Sequence, residues 1–576
     1  MMSVLISGYV EYGFCDQAIK CFRQMEVEGV PPDTVTYVCI LKACSEIRSL
    51  EIGEEIHAKV REQGLLKNSI VVGNAVIDMY AKCGALQRAC EVFDELPQQD
   101  VVSWTALIAG YANHGLGCQA VKIFKQMKDE GISPNAWTYV CILNACAAIR
   151  SLDIGETIHD KLREQGLLKD NIVLGNALID MYTKCDVLQK AQKVFDELPQ
   201  RDVVSWNVLI AGYVEHGLGD QAIKCFRQMD DEGLISDDIT YTCILNACAA
   251  IMSLEIGEEI YARVSKQGLL KENVVLGTAL INMYAKCLAL ERACKVFDEL
   301  PERDVVTWSA LIAGYVENGL SDQAIECFKR MEDEGVSPDA LAYVSTLKAC
   351  ASIGSLEVGE ELHAKVSEQG ILKKNIVVAT ALIDMYAKCG ALQRAGKVFD
   401  GLTQRDIVSW NVLIAGYAQA GQVDMVFSTS RRMRIECIQP NLVTFLALLN
   451  ACCHSALLNQ GEQLFHEMIV LYNLKPIIEH YTCMVDLFSR AGEFEKAKHY
   501  LVDDVSTLLA FLGACHKLEN FDLGRLAYKK IVQLDEKCAA AYVCMANIYA
   551  SASMHMEAHN IQALRVENRS MECTSR

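Results

Sequence analysis

Residues 101–135 read VVSWTALIAGYANHGLGCQAVKIFKQMKDEGISPN, and this stretch decides the fold. Apolar side chains recur at the helical spacing i, i+3, i+4 and i+7 over 104–111 and again over 120–127. Gly115 separates the two patterns, and glycine is a common helix terminator. The stretch therefore predicts two amphipathic helices joined by a short turn.

This helical hairpin belongs to a longer repeat with a period of 102 residues. Each block divides into segments of 35, 36 and 31 residues, which in the second block are 101–135, 136–171 and 172–202. No segment shows the alternation of apolar and polar residues that is typical of a β-strand. Repeated helical hairpins bury their apolar faces only against neighbouring hairpins. The predicted fold is an all-α solenoid of helix-turn-helix repeats. The period is set by LIAGY at 107, 209, 311 and 413, LISGY at 5, and VFDEL at 92, 194 and 296.

Charge and composition exclude several classes of protein. The 576 residues include 54 Lys and Arg against 74 Asp and Glu, a formal net charge of −20, which argues against binding nucleic acid mainly by neutralising phosphates. A base-contacting groove is still compatible with this charge. No run approaches the roughly 18 apolar residues of a membrane helix, so we expect no membrane association. The first residues, MMSVLISGYVEYG, show no signal or transit peptide, so either none exists or the chain begins downstream of it.

The repeat motifs resemble a known family. These motifs are VVSWNVLIAGY (203–213), LNACAAIRSLDIGETIH (143–159) and NALIDMYTKC (176–185) with KVFDELPQRD (193–202). Over roughly residues 1–508 the chain resembles plant pentatricopeptide repeat (PPR) proteins of the PLS subclass, whose P, L and S repeats alternate. The resemblance implies a right-handed superhelical solenoid that binds single-stranded RNA.

The C-terminal part resembles the E-type extension of the same family. The matching stretches are HYTCMVDLFSRAGEFEKA (480–497), FLGACHKLENFDLGRLAYKKIVQLD (511–535) and AAYVCMANIYASASMHMEA (540–558). The extension is degenerate, because 500–510 lacks most of a closing helix and the final QALRVENRSMECTSR does not continue the pattern. We therefore expect a repeat array over 1–508 and a degenerate E-like, TPR-like helical extension over 509–576.

In the family, the fifth residue of a repeat's first helix and the last residue of the repeat face one base, so that each repeat reads one nucleotide. A terminal Asp only accepts hydrogen bonds and suits the N–H of uracil or guanine, whereas a terminal Asn also donates and suits adenine or cytosine. Ser or Thr at the fifth position leaves room for a purine, and Asn reaches a pyrimidine. The pairs in chain order are Ser3 with Asp33 (G), Asn74 with Asp100 (U), Thr105 with Asn135 (A), Asn176 with Asp202 (U), Asn207 with Asp237 (U), Thr278 with Asp304 (G), Ser309 with Asp339 (G), Thr380 with Asp406 (G) and Asn411 with Asn441 (C).

The L repeats mostly carry an aliphatic residue at the fifth position, namely Val38, Val140 and Val344, so their bases are expected to be weakly specified. The predicted target is G-n-U-A-n-U-U-n-G-G-n-G-C, 5′ to 3′. Second-position residues pack against the bases in the family, and here they are Val102, Val173, Val204, Val275, Val306 and Val408. From sequence alone, packing within the hairpin explains these valines equally well, and a terminal Asp is also a good helix N-cap.

Three other groups of residues do not indicate a metal site or a catalytic site. His57, His159 and His363 occupy equivalent places, but Tyr261 replaces them in the third block, so partly buried histidines are favoured over a metal site. The recurrent cysteines, in the motifs AC and KC, fit small residues at helix crossings rather than disulfides or zinc ligands. His555-Met556-Glu557 matches half of a zinc deaminase signature, but no PCxxC follows. We expect no catalytic residues, no metal and no cofactor.

The sequence thus favours a non-enzymatic, sequence-specific RNA-binding protein of organelle RNA metabolism. The resemblance implies a site-recognition factor for C-to-U editing, with a DYW-type cytidine deaminase or other editing factor supplied in trans. It also implies a location in mitochondria or chloroplasts. Two alternatives are a TPR-like protein–protein scaffold, which the acidic balance favours, and a truncated inactive product, since the chain begins inside a helix equivalent to residue 103.

Overall fold

The computed structural model describes residues 2–169, 171–271, 273–518, 520–552 and 554–561. Within these ranges every regular element is helical and no strand occurs, so the predicted all-α repeat fold is confirmed. None of the described helices has the length and apolar character that crossing a bilayer requires. The chain divides into two compact units, Met1–Pro301 and Glu302–Arg576.

The first unit contains α1 to α19 and one short 3-10 helix, Leu269–Lys271, among its described residues. The α-helices are α1 (Met2–Glu11), α2 (Cys15–Val27), α3 (Thr34–Glu46), α4 (Leu50–Glu62), α5 (Leu65–Asn68), α6 (Ile70–Lys82), α7 (Leu86–Glu95), α8 (Val101–Asn113), α9 (Gly117–Asp129), α10 (Ala136–Ala148), α11 (Leu152–Glu164), α12 (Ile172–Lys184), α13 (Leu188–Glu197), α14 (Val203–Glu215), α15 (Gly219–Asp231), α16 (Asp238–Ile251), α17 (Leu254–Gln267), α18 (Val274–Lys286) and α19 (Leu290–Glu299).

The second unit continues the same order of helices. They are α20 (Val305–Glu317), α21 (Ser321–Asp333), α22 (Ala340–Ile353), α23 (Leu356–Glu368), α24 (Ile371–Lys374), α25 (Ile376–Lys388), α26 (Leu392–Asp400), α27 (Ile407–Gln419), α28 (Val423–Ile435), α29 (Leu442–His454), α30 (Leu458–Val470), α31 (Ile478–Arg490), α32 (Phe494–His499), α33 (Val505–Lys517), α34 (Phe521–Leu534) and α35 (Ala539–Ser551).

The two helices of a repeat differ in how much of their surface they bury. In α8, which has neighbours on several sides, Trp104 and Ile108 are buried together with most of the helix. In α9 only one stripe is buried, which includes Phe124 and Met127. Gly115 joins the two helices with a φ of 73°, a left-handed conformation that glycine adopts without a steric cost.

First helices of successive repeats pack side by side and form the inner layer of each unit. Thus α8 contacts α6 and α10, and its own second helix α9 covers it from the other side. Within each unit a first helix therefore begins beside the first helices of its neighbours, which places equivalent residues of successive repeats next to one another.

The C-terminal hairpins are less regular. The second helix α32 has only six residues, where the second helices of the S repeats have nine or ten. An aromatic cluster fills the place of the missing turn, with the Tyr500 ring 5.3 Å from Phe465 and 5.6 Å from Phe488, centroid to centroid. The expected boundary between residues 508 and 509 falls inside α33.

Candidate nucleic-acid interface

The terminal residue of each P and S repeat is the N-cap of the next helix. Its side-chain Oδ1 accepts hydrogen bonds from backbone N–H groups of the first turn, as in Asp100, where the donors are Val102 N at 3.0 Å and Ser103 N at 2.9 Å. The capping function weighed in the sequence analysis is therefore present. The nine residues with this geometry are Asp33, Asp100, Asn135, Asp202, Asp237, Asp304, Asp339, Asp406 and Asn441.

Capping uses only one of the two polar atoms of these side chains. In the seven Asp residues, no group of the described chain donates a hydrogen bond to Oδ2. In Asn135 and Asn441, Nδ2 donates to no described acceptor. Because a backbone N–H requires an acceptor, capping also fixes which end of the Asn amide carries the oxygen. The open atom is thus an acceptor in each Asp and a donor in each Asn.

The fifth-position side chain bonds directly to the terminal residue of its own repeat in four of the nine pairs. Asn74 Nδ2 donates to Asp100 Oδ1 at 3.1 Å, although 26 residues separate the two. Three other pairs are joined directly, and they are Asn207 with Asp237 (2.9 Å), Ser309 with Asp339 (2.8 Å) and Asn411 with Asn441 (3.1 Å). The structure thus brings together residues that the sequence analysis paired.

Two further pairs are bridged by the threonine at the third position of the next helix. Thr36 Oγ1 lies 3.0 Å from Ser3 Oγ and 2.6 Å from Asp33 Oδ1. Thr138 Oγ1 likewise lies 2.7 Å from Thr105 Oγ1 and 2.9 Å from Asn135 Oδ1. These bridging hydroxyls were missed from the sequence, although a Ser or Thr three residues after Asp or Asn is a capping signal.

Two pairs lack a described bond between their members. Asn176 and Asp202 form none, nor do Thr380 and Asp406, within the ranges that the structure describes. Thr278 and Asp304 belong to different units, where Thr278 Oγ1 donates to Val274 O at 3.0 Å and Asp304 caps α20.

Several fifth-position side chains are less exposed to solvent than side chains that contact a base directly would need to be. Asn207 and Asn411 are each 6% exposed, Asn176 is 9% exposed and Ser309 is fully buried. The cause is their place one turn into the first helix, where the start of the next first helix covers them. In the pairs that are joined by a hydrogen bond, the terminal residue is therefore the more accessible polar group, and the fifth residue holds it in place.

The second-position valines, by contrast, are half-exposed, between 49% and 66%. This exposure does not favour the alternative of packing within the hairpin. Second-position residues that the sequence analysis did not name are also exposed and apolar, and the 102-residue period identifies them as Val35, Val71, Trp137, Ile239, Leu341, Val377 and Val443. An exposed row of apolar residues indicates a binding surface.

The L repeats are not equivalent to one another. Val140 and Val344 at the fifth position are buried, whereas the third L repeat has half-buried Thr242 there. Its terminal residue, Asn273, caps α18 and donates through Nδ2 to Asp238 Oδ2 at 2.7 Å. Since an amide carries two N–H groups, one donor of Asn273 is still available. Sequence reasoning missed this polar pair, although a shift of 102 residues from Val140 leads to Thr242.

Hydrogen bonds lower the pKa of two capping carboxylates, Asp33 and Asp237. The Thr36 hydroxyl and backbone N–H lower the pKa of Asp33 below its usual range. At Asp237 burial acts to raise the pKa, but the Thr240 backbone N–H and the side chains of Asn207 and Thr240 outweigh it and lower the pKa. Both groups therefore act as hydrogen-bond acceptors near neutral pH.

The constellations set aside earlier have structural explanations. His57, His159 and His363 each share a hydrogen bond through Nδ1 with a tyrosine hydroxyl, at 2.7 to 2.9 Å. Burial lowers the pKa of all three imidazoles. Among the described residues no group of His, Cys, Asp and Glu is arranged to hold a metal ion, and the cysteines are free thiols.

Comparison with known proteins identifies the repeat. The PPR repeat family matches residues 1–46, 99–148, 201–250, 303–352 and 405–454, and the PPR repeat matches 74–101, 176–203, 278–305, 377–407, 443–471 and 479–503. These matches together cover most of the chain.

Two relatives from Arabidopsis thaliana are 34% identical. One is a pentatricopeptide repeat-containing protein named as chloroplastic, and the alignment covers 98% of this chain and 65% of the relative. The other is named as mitochondrial, with 95% of this chain and 80% of the relative covered. The chain thus spans about two thirds to four fifths of their length.

Solved structures with a similar fold include the pentatricopeptide repeat protein PPR10 from maize, with a TM-score of 0.52 and 18% identity over 99% of this chain and 94% of PPR10. PPR10 in complex with an 18-nt psaJ RNA element gives a TM-score of 0.57, with 98% and 83% covered. The matched repeat families and the two relatives agree with the helical hairpins described above, and the chain belongs to the pentatricopeptide repeat family.

Proposed function

We propose that the chain binds single-stranded RNA in a sequence-specific manner, with one base at each P and S repeat. This proposal rests on how the terminal Asp and Asn side chains use their two polar atoms. In each of them Oδ1 caps a helix, and the second polar atom has no described partner. The open atom accepts in Asp and donates in Asn, as base discrimination requires. The row of exposed second-position residues supplies apolar surface against which bases stack.

The proposed target is G-n-U-A-n-U-U-n-G-G-n-G-C. Its specified bases follow from the nine pairs given above, and the unspecified bases lie opposite the L repeats. The third L repeat, with Thr242 and Asn273, extends this target, because the same pair of residue types in Thr105 and Asn135 is assigned adenine. We therefore place A at the eighth base.

The finer assignment rests on the resemblance of the motifs. We propose a PLS-subclass array over 1–508, with a degenerate E-like extension over 509–576, that selects sites for C-to-U editing in chloroplasts or mitochondria. A deaminase of the DYW type, or another editing factor, acts in trans in this proposal, and the chain itself catalyses no reaction. The names of the two relatives, one chloroplastic and one mitochondrial, support an organellar location.

Fluorescence anisotropy tests the binding proposal. The probe is the 13-mer GAUAAUUAGGAGC, compared with a scrambled oligomer of the same composition and with single-base changes. We expect each change at a specified base to weaken binding about tenfold, as loss of one base contact does. A change of the second, fifth or eleventh base, opposite the L repeats with Val38, Val140 and Val344, has little effect.

Two outcomes contradict the proposal. Equal affinity for the target and the scrambled oligomer removes sequence specificity. Equal losses at the L-repeat and the P/S-repeat positions contradict the assigned pairs. Absence of RNA binding favours the second candidate, a protein–protein scaffold, which the net charge of −20 supports.

A further inference from the structure

The second unit contains a cavity that no part of the proposed RNA interface reaches. It has a volume of about 560 Å³ and lies between α23, α25 and α26 and the turn at α24. Leu372, Tyr386, Val398 and Leu402 supply apolar parts of its wall. Neither the capping residues nor the exposed second-position residues line it.

The equivalent place 204 residues earlier in the chain is closed. There the space is divided into two cavities of about 160 and 170 Å³, and Arg163 and Glu197 line both of them. The guanidinium of Arg163 lies 2.8 Å from the Glu197 carboxylate, so this ion pair separates the two spaces. The corresponding residues around the large cavity are Ser367 and Gly401, which are too short to cross it.

The glutamate equivalent to Glu197 is also present in the first and third blocks, where it has a partner across the equivalent space. Glu95 pairs with Arg61 at 2.7 Å in the first block. In the third block Glu299 accepts a hydrogen bond from the Tyr261 hydroxyl at 2.9 Å. Replacement of this glutamate by Gly401, together with replacement of the arginine by Ser367, therefore accounts for the open cavity.

The same replacement changes the charge of the cavity wall. Lys373, Arg394 and Lys397 line it, and no acidic residue does. Arg394 pairs with Glu360, but Lys373 and Lys397 form no ion pair in the part of the chain that the structure describes. Two ammonium groups without a counter-ion thus face a space with a largely apolar wall.

We infer that this cavity binds a small organic anion with an apolar body, such as a medium-chain or aromatic carboxylate. Its volume lies within the range of small-molecule sites. Lys373 and Lys397 would bind the anionic group through charge-assisted hydrogen bonds, while the leucines, Val398 and Tyr386 cover the apolar part. This inference does not depend on the proposed RNA function.

Binding of 8-anilinonaphthalene-1-sulfonate to the full chain, followed by its fluorescence, tests the inference. We expect one site, displacement of the dye by decanoate, and no displacement by decanol at the same concentration. The double variant K373A/K397A weakens dye binding about tenfold because both ammonium groups are lost.

Gly401→Glu places a carboxylate in the cavity, at the position of Glu197 in the closed form, and is expected to abolish anion binding because the carboxylate pairs with the lysines. A Cβ atom at Gly401 makes only ordinary contacts, 3.5 Å from the carbonyl oxygens of Lys397 and Val398, so the backbone accepts the change. The control variant K169A/K193A removes the equivalent lysines around the closed cavities and leaves dye binding unchanged. The inference is overturned if G401E binds the dye like the unmodified chain, if the control weakens binding as much as K373A/K397A, or if decanol displaces the dye as well as decanoate does.

Discussion

At the residue scale, Asp202 illustrates how one side chain serves two purposes. Its Oδ1 accepts from Ser205 N at 2.8 Å and from Ser205 Oγ at 2.8 Å, which caps α14. The other oxygen has no described donor, and the proposed base contact uses this atom. A substitution that keeps Oδ1 but replaces Oδ2 distinguishes helix capping from base recognition.

The substitution Asp202→Asn makes this separation. Asn caps helices as well as Asp does, so stability is expected to be unchanged, but the open acceptor becomes a donor. We expect the preference at the sixth base to change from U to C by about tenfold in relative affinity. Anisotropy with paired oligomers that differ only at this base measures the change.

Two controls accompany this substitution. The preference at the seventh base, assigned to Asn207 and Asp237, stays with U. Asp202→Ala removes both atoms and is expected to lose the preference together with about 1 kcal/mol of stability. An unchanged preference for U in D202N would mean that Asp202 only caps the helix.

The sequence predicted the members of the pairs but not how they are arranged. Spacing at 26 or 30 residues identified Asn74 with Asp100 and Asn207 with Asp237, and both pairs form hydrogen bonds. The small exposure of Asn207 depends on how the next helix covers it. That contact is tertiary, and a one-dimensional pattern does not contain it.

At the element scale, the glycine of the LIAGY motif lets first helices approach closely. A Cβ atom at Gly110 would lie 2.6 Å from Ala81 Cβ on α6 and 3.2 Å from Leu86 Cδ2. The alanine side chain is short and cannot turn away. The motif, which the sequence analysis used only to measure the period, therefore marks the contact between α6 and α8.

The variant Gly110→Ala tests this contact. We expect a loss of about 1–3 kcal/mol, because overpacking outweighs the higher helix propensity of alanine. Hydrogen exchange of α6 and α8, measured by mass spectrometry, locates the loss, since a long repeat array does not unfold in a single step.

Gly155→Ala is the matched control. A Cβ atom there would lie 2.5 Å from Met181 Sδ, at the end of a flexible side chain that can move. We expect exchange in α11 and α12 to change little. Equal protection in G110A and in the unmodified chain would contradict close packing at Gly110.

At the scale of the whole molecule, a set of cations on the second helices pairs with carboxylates of neighbouring repeats. Lys59 binds Glu26 at 2.7 Å, and Arg263 binds Asp230 and Lys365 binds Glu332 at the same distance. Each pair joins second helices of neighbouring repeats, and partly exposed pairs of this kind contribute little stability, about 0–1 kcal/mol each. These cations are already paired, and the formal net charge of −20 also disfavours binding led by phosphate contacts.

The salt dependence of RNA binding follows from this distribution. Each neutralised phosphate of a single strand contributes about −0.7 to the slope of log K against log salt concentration. With about two phosphate contacts, we expect affinity to fall less than about tenfold between 50 and 200 mM salt. A loss of a hundredfold or more, measured by anisotropy with the 13-mer, would contradict recognition led by base edges.

Composition and period predicted the class of fold, because a repeat of fixed length determines which helices are neighbours. The cavity beside Gly401 was not predicted. It arises from the joint loss of an arginine and a glutamate that are 34 residues apart in the second block, and only the structure shows that these two side chains meet.

The nearly identical contacts at every 102nd residue have a consequence for the length of the array. Gly110 and Gly212 both face a small residue of the preceding first helix, so the surfaces on either side of one block match each other. Excision of a whole block would join surfaces that already fit, and under the proposed function the shortened protein would bind a target that is three nucleotides shorter. Unequal crossing-over between such gene segments could therefore give rise to new RNA specificities without a new fold.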